Sequence, residues 1–460
     1  MGQAPVRQHE SDLEEETRHL VSINDLSNEE ISSLFALADH FLTELGDPKR
    51  NYRIASGVST ASGRILASIF YEPSTRTRLS FESAMNRLGG QVITSADPQA
   101  SSTTKGESLA DTVRVVSNYA DIIVLRHPRD GAARYAADFA HIPVVNGGDG
   151  GHEHPTQTLC DLYTLTRENR NLGDLNITIS GDLKGSRTIH SLVYALARFG
   201  SKIRLLPARG MELPSYVQRR LRNEFGGHTE PDESTVGAWY VTPDKPHQPT
   251  LFTEAEETIP APDRVDAVYL TRYQKERHES DDGADYPKVD KQFMRDPKYS
   301  KTSVLHPLPR VDELGADFDT DRRAAYFRQA AYGVPVRMAL MSLMLGLESE
   351  RHLSKYAGGF RAAKQITIAQ SEGSGLKCPN PNCISREPSE RPHIRDKFTY
   401  VDYTPPVLRC FFCETDIENF VVADKRHRRV YSRKPNLTTP ANLMCFADEA
   451  QAEAADFTRG

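Results

Sequence analysis

The residue types best suited to binding or catalysis occur together in one run of five, Ser74-Thr75-Arg76-Thr77-Arg78. An apolar run precedes them and apolar residues at helical spacing follow, which predicts a strand, a tight turn and the start of a helix. The free amides of a helix's first turn attract an anion. Three hydroxyls and two guanidinium groups beside those amides favour a phosphate over a lone carboxylate. The alternative is an ordinary helix cap flanked by solvated arginines.

Further cationic and polar side chains follow other predicted strands. In open α/β sheets, binding groups gather where strands end. The residues found at such ends are Arg126, His154, Gln157, Arg187, Arg272 and Gln274. Because these cations have no evident carboxylate partner in the sequence, they predict a site for more than one anion.

The elements that must position these residues alternate between strand and helix in two halves. Strands are predicted at 65–70, 121–125, 142–145, 175–180, 202–207, 267–271 and 303–305. Helices are predicted at 28–45, 109–119 and 334–347, among others. This alternation predicts an α/β protein with two doubly wound, parallel-sheet domains. The proline-rich segment 224–262 is interpreted as an extended insertion, which can hold a short strand at 238–241.

Composition narrows the class of protein. The 460 residues include 57 Lys+Arg and 63 Asp+Glu, and the net charge of −6 argues against a nucleic-acid partner for the chain as a whole. The sequence lacks an apolar run of about 18 residues, and its first residues lack the apolar core of a signal peptide. We therefore expect a cytoplasmic protein without a membrane partner.

Four of the six cysteines form a CxxxxC and CxxC pair near the C-terminus, namely Cys378, Cys383, Cys410 and Cys413. In a cytosolic chain this spacing favours a structural, tetrahedral zinc site over disulfides or a catalytic zinc. Cys160 and Cys445 are interpreted as packing residues. A metal site at His152-Glu153-His154 is disfavoured because Pro155 interrupts the spacing that helical zinc ligands need.

The basic run 425–429 has two interpretations. Zinc knuckles beside basic residues bind RNA in some proteins. The favoured alternative is a solvated or subunit-facing edge, because the rest of the chain lacks a basic face.

Together these motifs resemble those of the transcarbamoylases, and specifically the aspartate carbamoyltransferase family, over residues 20–350. The Ser74 to Arg78 turn is similar to the family's carbamoyl phosphate loop. Arg126-His127-Pro128, His154-Pro155-Thr156-Gln157 and His306-Pro307-Leu308-Pro309-Arg310 are similar to its other shared motifs. The zinc unit, including Cys378-Pro379-Asn380, resembles the zinc domain of the family's regulatory chain.

The resemblance implies a division of the chain. The expected parts are a loose arm at 1–18, a carbamoyl phosphate-binding domain at 19–155 with a returning helix at 319–350, an aspartate-binding domain at 156–318, a linker at 351–377, a β-rich zinc-binding domain at 378–435 and a tail at 436–460. Only 30 residues, Glu348 to Lys377, separate the catalytic part from Cys378. A domain needs about 50 residues, so the nucleotide-binding domain of the regulatory chain does not fit there. We therefore expect an enzyme without an in-chain nucleotide effector site, in which the zinc unit joins catalytic subunits.

The resemblance also implies the reaction and the role of each residue. The reaction is carbamoyl transfer from carbamoyl phosphate to the α-amine of L-aspartate, in pyrimidine biosynthesis, without an organic cofactor. Carbamoyl phosphate binding is implied for Ser74, Thr75, Arg76, Thr77, Arg126, His154, Gln157, Pro307 and Leu308. Aspartate binding is implied for Lys105, Arg187, Arg272 and Gln274. The catalytic set is Arg76, Thr77, Lys105, Arg126, His154 and Gln157.

Two further points follow from the same resemblance. A homotrimer, or a multiple of trimers, is implied, with Ser101 and Lys105 reaching the neighbouring subunit's site. Ornithine is the alternative acceptor, but the ornithine enzymes place a cysteine where this chain has Pro307. The cations at Lys105, Arg187 and Arg272 also suit a dicarboxylate better than an amine.

Overall fold

The computed structural model describes residues 17–46, 61–95, 106–169, 171–225, 227–231, 239–243, 265–274, 288–347, 368–369, 374–401, 403, 405–431 and 443–459. Most of the predicted arm, insertion and linker lies outside these residues, as do Ser101 and Lys105. The described part forms two units built on mainly parallel sheets and a third unit rich in β-structure.

The first unit is a four-stranded parallel sheet with helices packed around it. Its strands are β1 (Ile65–Phe70), β2 (Gln91–Ser95), β3 (Ile122–His127) and β4 (Val144–Asp149). Its helices are α1 (Asn28–Gly46), α2 (Thr75–Arg87), α3 (Leu109–Val116) and α4 (Ala132–Ala137). The strand order is β2-β1-β3-β4. The inner strands are almost wholly apolar because the sheet is covered on both faces.

The second unit is a six-stranded sheet. Its helices are α5 (Pro155–Asn169), α6 (Arg187–Phe199) and α7 (Ser215–Glu224). Its strands are β5 (Asn176–Gly181), β6 (Lys202–Pro207), β7 (Gly227–Pro231), β8 (Trp239–Pro243), β9 (Ala267–Leu270) and β10 (Ser303–Leu305), in the order β10-β9-β5-β6-β8-β7. The predicted parallel sheet is corrected at one edge, where β8 runs antiparallel to both neighbours because the insertion folds back on itself as β7 and β8.

A long helix, α8 (Tyr326–Met344), packs against α1, α2 and α5. It returns the chain to the first unit, and it begins eight residues before the apolar segment predicted at 334–347, within the returning helix expected at 319–350. In the structure Pro335 lies inside the helix.

The third unit contains two small sheets. The first has β11 (Ile368–Ala369), β12 (Phe398–Val401), β13 (Val407–Cys410) and β14 (Asp416–Ile417). The second has β15 (Val421–Asp424), β16 (Arg429–Tyr431), β17 (Leu443–Phe446) and β18 (Thr458–Arg459), with α9 at Glu449–Ala454. The predicted boundary at 435 is corrected here, because β17 pairs with β15 and β18 pairs with β16. Phe446 and Phe457 pack with Ala423 in a small core, which makes 443–459 part of the unit rather than a tail.

The first and third units share one apolar core. Leu109, Val113 and Tyr135 belong to the same buried cluster as Phe398 and Phe412. The rings of Tyr135 and Phe412 meet edge to face, with centroids 5.9 Å apart. At Gly131 (φ 81°) a Cβ atom would lie 2.5 Å from the backbone of Phe412, so only glycine fits this approach.

Two features of the described residues bear on nucleic-acid and membrane partners. The basic run 425–429 forms the exposed turn between β15 and β16, where the Asp424 carboxylate contacts His427 Nδ1 at 2.7 Å. None of the helices in the described part of the chain has the length and apolarity that a membrane span requires.

Candidate active site and metal centre

The phosphate turn joins the end of β1 to the start of α2, as predicted. Ser74 occupies the N-cap position in extended backbone, and its side chain makes no capping hydrogen bond. Thr75, Arg76 and Thr77 form the first helical turn, whose amides have no partner within the helix. The pKa of Arg76 is lowered because burial desolvates the guanidinium and because Arg272 adds a second positive charge. The turn therefore combines helix amides with two nearby cations, an arrangement that suits an anion.

Two predicted hydrogen-bond donors, Thr77 and His154, meet in this cleft. The backbone N–H of Gln157 donates to His154 Nδ1 over 3.3 Å. Because Nδ1 accepts, the neutral ring carries its proton on Nε2. Nε2 lies 3.4 Å from Thr77 Oγ1. A hydroxyl from α2 and an N–H from the turn before α5 can thus point at one substrate oxygen.

A carboxylate that sequence reasoning missed lies between two of the predicted cations. Glu72 Oε1 accepts from Arg126 Nη2 at 2.7 Å and from Arg187 Nη2 at 2.8 Å. Arg187 Nη1 also donates to Glu72 Oε2 at 3.0 Å. The expectation that these cations lack a carboxylate partner is therefore wrong for Arg126 and Arg187. The available signal was the place of Glu72 in the phosphate turn, two residues before Ser74.

Arg272 and Gln274 follow β9, next to β5, whose carboxyl end leads to Arg187. The backbone N–H of Gln274 donates to Asp182 Oδ2 at 3.1 Å, and Asp182 Oδ1 accepts from the Gly185 N–H at 2.7 Å. Asp182, which was also missed, thus holds the segment of Gln274 against the turn before α6. Lys105, the remaining predicted aspartate contact, and Ser101, predicted with it to reach the neighbouring subunit's site, lie outside the described residues.

His306 and Pro307 line the opposite wall of the cleft after β10, and Leu308 follows them in the same loop. Leu308 has a φ of 54°, in a region that residues other than glycine seldom adopt. Its N–H donates to His306 Nδ1 at 2.7 Å, and the Glu313 carboxylate contacts the other ring nitrogen at 2.8 Å. These bonds fix the loop. A cavity of about 330 Å³ is lined from both sides, among others by Thr75, Arg76, Thr77, Gln157 and Pro307.

The four predicted metal ligands come together in the third unit. The Sγ atoms of Cys378 and Cys413 are 3.4 Å apart, those of Cys383 and Cys410 are 3.8 Å apart, and all four lie within 4.8 Å of one another. Sulfur atoms around a tetrahedral zinc ion are about 3.8 Å apart, given Zn–S bonds of about 2.3 Å. The four buried thiols therefore fit a closed, structural metal site. Cys160 and Cys445 are buried outside this group.

Glu414, the residue after Cys413, connects this metal centre to the first and second units. Glu414 pairs with Arg220 of α7, and its carboxylate lies 3.7 Å from His152 Nε2 and 3.9 Å from Arg134. Burial alone would raise the pKa of Glu414, but the charges of Arg220, His152 and Arg134 hold it well below the ordinary value. His152, Glu153 and Glu414 lie close enough to hold a metal ion, yet the two arginines beside Glu414 disfavour a cation there.

We expect Glu414→Ala to destabilise the protein, because Arg134 and Arg220 would keep buried charges without this partner. Removing one member of a buried ion pair costs about 3–5 kcal/mol. Thermal unfolding should start several degrees lower, as measured by scanning fluorimetry. Glu418→Ala is the matched control, because Glu418 is 61% exposed while pairing with the neighbouring Arg219. Equal melting temperatures for the two variants would contradict the buried role of Glu414.

Comparison with known proteins places these features in one family. Residues 18–167 match the family model "Aspartate/ornithine carbamoyltransferase, carbamoyl-P binding domain", and residues 173–344 match "Aspartate/ornithine carbamoyltransferase, Asp/Orn binding domain". Residues 370–423 match "Aspartate carbamoyltransferase regulatory chain, metal binding domain". The first two matches contain every described residue that was predicted to bind substrate, and the third contains the four cysteines.

Individual relatives agree. The chain is 44% identical over 332 residues to an aspartate carbamoyltransferase catalytic subunit from Picrophilus torridus, covering 71% of this chain and 98% of the relative. The solved catalytic subunit from M. jannaschii is 39% identical, with a TM-score of 0.56 over 71% of this chain and 98% of that one. The Trypanosoma cruzi enzyme, solved with aspartate and phosphate, is 34% identical, with a TM-score of 0.56 over 71% and 95%. The chain therefore belongs to the aspartate carbamoyltransferases of the aspartate/ornithine carbamoyltransferase family, and it carries a regulatory-chain-type metal-binding domain at its C-terminus.

Proposed function

We propose that this chain transfers the carbamoyl group of carbamoyl phosphate to the α-amine of L-aspartate. The amine nitrogen forms a bond to the carbamoyl carbon, the bond from that carbon to the phosphate oxygen breaks, and a proton from the amine leaves with the phosphate. The products are N-carbamoyl-L-aspartate and phosphate, as in pyrimidine biosynthesis. The observation that carries the proposal is the meeting of Thr77 and His154 beside the anion-binding turn.

The carbamoyl phosphate half of the site has three parts. Ser74, Thr75 and Arg76 hold the phosphate at the N-terminus of α2. Thr77, Arg126 and His154 stabilise the negative charge that grows on the carbamoyl oxygen. Such preorganised donors can lower a reaction barrier by several kcal/mol, about 3–4 for a single donor. The carbamoyl amino group donates to Gln157 and to the backbone carbonyls of Pro307 and Leu308.

The aspartate half uses cations for two carboxylates. Arg187, Arg272 and Gln274 line the carboxyl ends of neighbouring strands, and Lys105 completes the set. Because Arg187 is bound to Glu72, an aspartate carboxylate at this position must share the guanidinium with Glu72 or displace it. Holding both anions in one cleft converts a bimolecular step into a local one.

The remaining parts of the proposal concern assembly and metal. The protein forms a homotrimer or a multiple of trimers in the cytoplasm, and the segment with Ser101 and Lys105 reaches the neighbouring site. The bound metal is zinc in a purely structural role, and no organic cofactor or nucleic acid takes part. The proposed domains keep the predicted division at 19–155, 156–318 and 319–350, and the metal-binding domain extends through 459.

A colorimetric assay for carbamoylated product tests the reaction. Purified protein and carbamoyl phosphate are incubated with L-aspartate or with L-ornithine in parallel reactions. Product is expected with aspartate only, since the cleft supplies several cations and its carboxylate Glu72 is already bound by Arg126 and Arg187. Product with ornithine alone would select the ornithine enzyme instead, and no product with either acceptor would contradict carbamoyl transfer.

A further inference from the structure

A buried aspartate, Asp161, lies directly behind the carbamoyl half of the cleft and has no role in the proposed chemistry. Its side chain is on α5, one helical turn after Gln157, and the residue is 0% exposed. Three donors converge on its carboxylate. Oδ1 accepts from Gln157 Nε2 at 2.7 Å and from Gln329 Nε2 at 2.6 Å, while Oδ2 accepts from the Tyr269 hydroxyl at 2.8 Å.

The contact with Gln157 determines which end of that amide faces the substrate. A carboxylate accepts hydrogen bonds and has no proton to donate, so the NH2 group of Gln157 must point towards Asp161. The amide oxygen of Gln157 is therefore left for the cleft. An oxygen acceptor at this position suits the amino group of a carbamoyl group, and it suits neither a methyl group nor a second carbonyl oxygen.

The contact with Gln329 connects Asp161 to the opposite wall of the cleft. Gln329 donates to Asp161 through Nε2, and its Oε1 accepts from the backbone N–H of His306 at 2.9 Å. Both ends of this amide are thus assigned by their partners. His306 begins the loop that carries Pro307 and Leu308, so one carboxylate fixes acceptors on two sides of the cleft.

We propose that Asp161 is a positioning residue that makes the site selective for the carbamoyl amino group, by orienting Gln157 directly and the Pro307-Leu308 loop through Gln329. This inference rests on the proposed function. Tyr269 anchors the carboxylate to β9, the strand that leads to Arg272. Burial raises the pKa of Asp161 to about 7, although the hydrogen bonds from Gln329, Gln157 and Tyr269 and the charge of Arg337 favour the carboxylate. These effects offset burial only in part, so the charged form that the orientation requires predominates above about pH 7.

The test compares carbamoyl phosphate with acetyl phosphate, in which a methyl group replaces the amino group. Dissociation constants for both ligands and for inorganic phosphate are measured by calorimetry at about pH 8.5, where the carboxylate predominates. In Asp161→Leu, a side chain of similar size offers no acceptor to Gln157 Nε2 or Gln329 Nε2, so the amide of Gln157 is no longer held with its oxygen towards the cleft. We expect the preference for carbamoyl over acetyl phosphate to fall by at least about tenfold, the size of one lost hydrogen bond.

Binding of inorganic phosphate serves as the internal reference, because the three donors that hold Asp161 all lie outside the Ser74 to Thr77 turn. Its dissociation constant should stay within about twofold of the parent value. General destabilisation would weaken all three ligands together rather than change their ratio. Glu168→Gln is the matched control on the same helix. Glu168 pairs with Arg328 over 2.8 Å, and this pair lies outside the cleft. This control should leave the preference unchanged.

Gln329→Met provides a second variant in case Asp161→Leu does not fold. It keeps Asp161 and Gln157 but cuts the link to His306, so the preference should fall by a smaller factor. An unchanged preference in every folded variant of Asp161 or Gln329 would overturn the inference while leaving carbamoyl transfer intact. A parent protein that neither prefers carbamoyl phosphate nor makes carbamoylated product would instead overturn the proposed function.

Discussion

Arg76→Ala should lower kcat by at least about 10³-fold, because it removes a charged donor from the phosphate turn where the departing group carries its negative charge. The pKa of Arg76 is lowered by desolvation and by the nearby charge of Arg272, so an anion bound in this cleft would offset both effects. Binding of carbamoyl phosphate should weaken as well, because the same contact exists before and during the reaction. Steady-state kinetics with both substrates varied would measure the two effects.

Arg87→Ala is the matched control for this variant. Arg87 lies in the last turn of the same helix, where its Nε donates to Ser83 Oγ at 3.2 Å. Its removal tests whether any loss of positive charge from α2 lowers activity. The control should retain activity within about twofold of the parent, as expected for a surface substitution. Near-normal turnover by Arg76→Ala, with metal content and assembly intact, would remove the phosphate turn from the active site.

The sequence predicted those features that depend on local pattern. Strands β1, β6 and β10 have the predicted bounds because each is a short apolar run with turn residues at its ends. The gathering of Thr77, His154 and Gln157 was also predictable, because parallel strands place their carboxyl ends at one edge of a sheet. The metal site was predictable from the spacing of the four cysteines alone.

The features that the sequence did not predict depend on contacts between distant segments. Glu72 and Arg187 are 115 positions apart, so the place of Glu72 in the turn makes it a candidate without indicating which arginines it reaches. In the sequence, Asp161 is only one polar position on a helix. Its contact with Gln329, 168 positions later, becomes visible only in the folded chain. The strands of 443–459 were missed for the same reason, since short strands are recognisable only through their partners.

Because the first and third units share one apolar core, the metal centre is not independent of the rest of the fold. A separate zinc knuckle could unfold without affecting the rest of the chain. Here Phe398 and Phe412 pack in the same cluster as Leu109 and Tyr135 of the first unit. Glu390 of the third unit also accepts the backbone N–H of Leu109 at 2.6 Å, at the first residue of α3. Loss of the metal should therefore expose apolar surface in both units.

Cys410→Ser should accordingly abolish stoichiometric zinc binding and lower the melting temperature by at least about 10 °C, because structural zinc contributes on the order of 10 kcal/mol to the folding of small metal-binding domains. Metal content would be measured by atomic emission, and unfolding by scanning fluorimetry at a fixed heating rate. The same loss is expected when the parent protein is treated with a strong chelator, and added zinc should reverse the chelator effect only.

Cys445→Ala separates metal binding from the packing of a buried thiol. Cys445 is as buried as Cys410 but lies outside the four-sulfur group. Its replacement leaves a small cavity, so the expected decrease in melting temperature is a few degrees, with full zinc content. Zinc retained in Cys410→Ser, or equal melting temperatures for the two variants, would show that the four cysteines do not stabilise the fold through a metal. A decrease confined to Cys410→Ser and the chelated parent would support a structural zinc whose loss opens the core shared by the first and third units.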